Sequence, residues 1–115
     1  MGPVFFRDKT DFPFRLDEPG NIPVVHFKGY RLIDRYPEFH YTLNGIDVYE
    51  LIKPKEDGSG LIRTFRLPET KRIIWFLVDS GDGVSYKSST GKWTSNQLKL
   101  LPEEARKFTL LMTKK

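Results

Sequence analysis

Two histidines, fifteen carboxylates and no cysteine bound the chemistry open to this 115-residue chain. His26 and His40 stand fourteen residues apart, and without thiolates a zinc site would need both of them and a carboxylate to converge, which the spacing does not suggest. A structural or solvated role is preferred for each. No Gly-x-Ser-x-Gly elbow presents a nucleophile. Ser88-Ser89-Thr90-Gly91-Lys92 resembles the end of a phosphate-binding loop, but Tyr86 replaces the first glycine, Trp93 the magnesium-holding hydroxyl, and no helix signal follows. Asp79-Ser80-Gly81-Asp82-Gly83 clusters oxygen ligands that calcium would accept, yet it lacks the alternating acids and distal glutamate of an EF-hand, so an ordinary turn is preferred. No metal and no cofactor are expected.

Four rings remain as binding candidates: Tyr30 after a glycine, His40 and Tyr49 paired on one strand face, and Trp93 in a short polar segment. Such rings can stack on sugars, and burial in the core is the competing role. Glu50 and Arg63 interrupt otherwise apolar strands, and a cross-strand ion pair at the sheet's rim accounts for both. A small enzyme using Glu50 with His40 or Asp47 is the least favoured alternative.

The elements that position these residues are β-hairpins. Asn44-Gly45 separates two alternating runs, and Asn-Gly favours a two-residue type I′ turn because both central residues need φ > 0. That turn sets Leu43 opposite Ile46, Tyr41 opposite Val48 and Phe39 opposite Glu50 on one face. Thr42 then meets Asp47 and His40 meets Tyr49 on the other. A second hairpin with its loop over Pro54 to Gly60 is expected to set Ile52 opposite Leu61, Glu50 opposite Arg63, Val48 opposite Phe65 and Ile46 opposite Leu67.

Around this core, residues 1–22 read as an irregular or extended arm whose Phe residues cover a sheet edge, since Pro13, Pro19-Gly20 and Pro23 forbid a helix. Residues 24–33 form one bent strand or two short ones, with Gly29 at the bulge. Ile73 to Val78 reads as a central strand buried on both faces. Val84 to Tyr86, Lys92-Trp93, Gln97 to Leu101 and Lys107 to Met112 are short strands. Pro102 to Arg106 fits one helical turn, with proline first and two glutamates near its N-terminus. About eight short strands without an amphipathic helix predict an all-β antiparallel sandwich, jelly-roll-like or immunoglobulin-like, over residues 23–115 as a single domain.

Charge location narrows the partners. Residues 1–91 carry 13 basic and 13 acidic side chains and the last 24 residues carry six and two, so the whole net +4 belongs to the tail. A basic stripe interleaved with aromatics is missing, which argues against nucleic acid. No run approaches the ~20 apolar residues of a membrane span. Arg7, Asp8, Lys9 and Asp11 break up any signal-peptide pattern. The expectation is therefore a cytoplasmic chain if it is complete, or else a piece of a longer exported protein.

Phe27-Lys-Gly-Tyr-Arg-Leu, Pro37-Glu-Phe-His-Tyr, Gly45-Ile-Asp-Val-Tyr-Glu50 and Gly60-Leu-Ile-Arg-Thr-Phe together resemble a β-rich module of large bacterial secreted or periplasmic proteins. Those proteins combine a glucose/sorbosone-dehydrogenase-like β-propeller with a c-type cytochrome domain. The resemblance covers residues 27–66 and brings no catalytic residues with it. The chain lacks Cys-x-x-Cys-His, so haem and dehydrogenase chemistry would belong to other parts. What the resemblance implies is a non-catalytic accessory module of an extracytoplasmic redox or carbohydrate-handling protein. It would act in assembly or carbohydrate docking, with propeller or cytochrome domains as partners. A free-standing carbohydrate-binding module is the alternative.

Overall fold

A computed structural model of the chain describes residues 13–78 and 84–114. Within them, ten strands form two antiparallel sheets. The larger runs in the order β2 (Val25–Ile33), β3 (Tyr36–Leu43), β4 (Ile46–Pro54), β5 (Gly60–Arg66), β10 (Phe108–Lys114) and β7 (Val84–Ser88). The smaller runs β1 (Phe14–Leu16), β6 (Ile74–Leu77), β9 (Gln97–Leu100) and β8 (Lys92–Thr94). The protein is an all-β sandwich. Phe14 of the smaller sheet meets Phe65 of the larger edge-on at 5.3 Å and Tyr41 at 6.5 Å, and Phe65 in turn stacks on Phe108 at 4.9 Å. Both inner faces are thereby joined through interlocked rings, the offset and edge-on geometry that aromatic quadrupoles favour.

Turn chemistry builds the larger sheet. Asn44 and Gly45 take φ of +49° and +86°, as a type I′ turn demands, and the β3–β4 register is the expected one throughout. Asn44 also anchors β2, accepting from the Val24 N–H through Oδ1 at 2.7 Å and donating its own N–H to the Val24 carbonyl. Asp34 and Arg35 form a second two-residue turn with φ of +51° and +77°, joining β2 to β3 without a glycine. Phe27 opposes Tyr41 and Gly29 opposes His40, so Lys28 is the extra residue of a β-bulge.

The β4–β5 hairpin differs from expectation by two residues. Pro54 opposes Leu61, Ile52 opposes Arg63 and Glu50 opposes Phe65. Pro54 therefore belongs to the strand, and the loop shrinks to Lys55–Ser59. Asp57 tightens it by accepting from the Ser59 N–H and hydroxyl, and Gly58 supplies φ of +76°. A slip of two preserves the faces, because side chains alternate with period two.

Two further expectations are corrected. Phe14–Leu16, assigned to an irregular arm, is a fully buried strand paired with β6; three residues are too few to show a period. The expectation for residues 1–12 lies outside the described residues, as does that for Asp79–Gly83. Strand β6 is internal to its sheet but buried on one face only. Ile74 and Phe76 point into the core while Trp75 and Leu77 are half-buried, with the Trp75 indole donating to the Asp17 carbonyl at 3.0 Å. The helical turn is present as α1 (Pro102–Ala105), held by Glu104, which accepts from the Leu101 N–H at 2.9 Å. Among the described residues no helix is long and apolar enough to cross a membrane.

Candidate ring-stacking groove

Strand alternation divides the polar residues of the larger sheet between its two faces. Inside, Glu50 lies on the row with Phe39 and Phe65. One carboxylate oxygen accepts from the Tyr41 hydroxyl at 3.0 Å and the other from Arg63 at 2.6–2.7 Å. The Arg63 guanidinium lies 5.2 Å from the Phe65 ring centre and 5.6 Å from that of Phe76 in the facing sheet. The expected ion pair is thus present on the expected face. It is a diagonal rather than a directly opposed pair, and it is sealed between the sheets rather than set at the rim. Burial, followed by the nearby Glu50 charge, raises the Tyr41 hydroxyl well above the usual phenol value, which keeps it a proton donor to Glu50.

Outside, the row Gly29, His40, Tyr49, Arg66 crosses four adjacent strands. The His40 imidazole stacks on the Tyr49 ring at 4.4 Å and 14°, and the Arg66 guanidinium covers the far side of Tyr49 at 4.7 Å. At the near end Gly29 has no side chain, and a Cβ placed there would meet nothing within 4 Å. The His40 side chain, 32% exposed, borders that gap. His40 Nε2 is held 2.8 Å from Asp47 Oδ1, which fixes the ring plane. One step along the sheet, buried Glu38 accepts from Arg31 Nε at 3.0 Å and from Arg66 at 3.2 Å.

These residues border a groove of about 570 Å³, lined by Lys28, Gly29, Tyr30, Arg31, Glu38, His40, Tyr49, Arg66 and Pro68. Of the four candidate rings, the structure brings Tyr30, His40 and Tyr49 to this groove. Their roles differ. Tyr49 is closed on both sides, Tyr30 opposes Phe39 with its ring 6.0 Å away and stays 66% exposed, and the His40 side chain is 32% exposed beside the groove. Trp93 lies elsewhere. It is half-buried against the core on β8 and donates Nε1 to the Ser88 hydroxyl at 3.1 Å beside a separate hollow formed with Val84, Tyr86 and Asn96.

His26, exposed on the outer face opposite Thr42, does not join the groove lining, and no group of three metal-ligating side chains exists among the described residues. Sequence reading missed Lys28, Arg31, Glu38 and Arg66. The signals for Arg31 and Glu38 were the unrecognised Asp34-Arg35 turn, which makes them direct partners; that for Arg66 was the two-residue slip that sets it beside Tyr49. No family model, curated protein or solved structure matches this chain.

Proposed function

We propose that the chain is a non-catalytic β-sandwich module that docks a saccharide ring in the outer-face groove, as an accessory part of a larger extracytoplasmic redox or carbohydrate-handling protein. The observation that carries this reading is the partly exposed His40 ring, stacked on Tyr49 and bordering a groove lined by Lys28, Arg31 and Arg66. A pyranose presents a C–H face that packs on a flat ring, and its hydroxyls need donors and acceptors around the rim, which Lys28, Arg31, Arg66 and Glu38 offer. The resemblance in residues 27–66 supports the accessory role, and its motifs contain Gly29, Arg31, Glu38, His40 and Tyr49 of the groove. Acid–base chemistry is disfavoured because Glu38 and Glu50 each have both oxygens engaged by arginine or tyrosine, leaving neither poised to exchange a proton with a substrate.

A glycan array followed by titration tests the proposal. The protein is expected to retain at least one saccharide class. His40→Ala should weaken binding about fivefold, the worth of a ring contact near 1 kcal/mol, while Trp93→Ala should leave affinity unchanged. Retention of no saccharide would reject docking and leave assembly as the module's role.

A further inference from the structure

Resting on the saccharide reading above, we infer that the docked sugar is acidic, a uronic-acid residue whose ring stacks on His40 and whose carboxylate is met by Lys28 and Arg31. Charge makes the first argument. Lys28, Arg31 and Arg66 line the groove against the single carboxylate of Glu38; even with Asp47, which touches His40 from outside the lining, cations outnumber acids three to two. Both Glu38 oxygens are already taken, so its capacity to balance a third cation is spent. The Lys28 ammonium has no acidic partner among the described residues.

Placement makes the second argument. Lys28 is the bulged residue, pushed out of the ladder immediately beside the gap, and Arg31 follows Gly29 by two positions, about 6.6 Å along the strand. The two cations thus bracket the space into which a ring resting on His40 must fit. Arg31 meets Glu38 through Nε while its side chain lines the groove and stays 67% exposed. A carboxylate projecting from the stacked ring meets a charged donor at either end.

A nucleic-acid strand fits the same groove poorly. Single strands bind along successive stacking platforms, whereas in this row Tyr49 is closed between His40 and Arg66.

The test compares an array of uronic-acid oligosaccharides with their methyl esters and with neutral sugars, followed by titration of the best acid and its ester against the protein and its Lys28→Gln variant. Lys28 is exposed and outside the strand ladder, so the variant should fold. The acid is expected to bind about tenfold or more tightly than its ester, the worth of one charge-assisted hydrogen bond, and Lys28→Gln should remove most of that difference. Equal affinity for acid and ester, or binding of neutral sugars alone, would overturn the acidic assignment and leave saccharide docking standing. Binding of nothing on the array would overturn the docking reading itself. Tighter binding of a trinucleotide than of any uronate would reassign the groove to nucleic acid.

Discussion

Glu50 and Glu38 are the same chemistry on opposite faces of one sheet. Each carboxylate is nearly buried and each is held by arginine, but their surroundings differ. The Arg63 side chain that pairs with Glu50 is 13% exposed and walled by two phenyl rings, whereas Arg31 and Arg66, which hold Glu38, are 67% and 39% exposed. The inner cluster is closed by the facing sheet and has no surface left for a ligand. The outer cluster keeps its cations in contact with solvent beside the partly exposed His40 ring. An ion pair becomes available for recognition when the sandwich leaves one side of it uncovered.

The largest effect should come from opening the inner pair. Arg63→Met strands a buried carboxylate, and the expected loss is about 3–5 kcal/mol, read as a lower urea midpoint. A loss below about 1 kcal/mol would mean that Glu50 is not sealed, and the contrast would fail. Next is Tyr41→Phe, which leaves one Glu50 oxygen without its donor and should cost about 1–2 kcal/mol at neutral pH. The pH dependence has a definite sign. Because the folded phenol titrates above its ordinary value of 10.0, its contribution is fully present below that value and disappears as pH rises toward the folded one. The parent protein should therefore lose stability more steeply above pH 10 than Tyr41→Phe, as measured by urea midpoints from neutral to alkaline pH.

On the outer face the same kind of change should be mild. Glu38→Gln leaves two exposed arginines that water can solvate, so the expected cost is about 1 kcal/mol or less, and its clearer effect should be altered ligand binding. A stability loss as large as that of Arg63→Met would make the outer cluster structural too. The smallest effect concerns a carboxylate with no arginine. Glu104 is held below its usual range by the hydrogen bond from the Leu101 N–H and, after partial opposition from burial, by that from Thr90. Its contribution is present above the ordinary value of 4.5 and is lost as pH falls through the lower folded value. Glu104→Gln should cost about 0.5 kcal/mol at pH 7 and progressively less as pH falls below 4.5, as followed by melting temperature.

Much of this contrast was legible from Asn44-Gly45, because one turn with two positive φ angles determines every pairing in β3 and β4, including His40 on Tyr49. The inner ion pair survived an error in the second hairpin, since a slip of two residues conserves the face. The outer site did not survive it. Arg66 reaches Tyr49 only in the true register, which depends on Asp57 and Gly58 closing a five-residue loop, and loop length is weakly encoded when Pro54 itself looks like a breaker. Arg31 and Glu38 meet across a turn of Asp34 and Arg35, and arginine at positive φ carries no sequence signal. Strand β1 was hidden for a simpler reason: three residues among prolines owe their burial to contacts with Phe65 and Phe76, distant in sequence.

The bulge at Lys28 also bears on how copies of the protein behave toward one another. Among the described residues strand β2 stands at the edge of the larger sheet, and an intact edge is a template on which another chain can add strands. Here the ladder is interrupted in its middle and a lysine is pushed out at the interruption, so an approaching strand would lose its register and meet a charge. Deleting Lys28 would restore an unbroken edge, and concentration-dependent association by light scattering would reveal it. An unchanged monomer signal would mean that the edge is guarded by something else. The extra residue that borders the groove is thus also placed to discourage strand addition along that border.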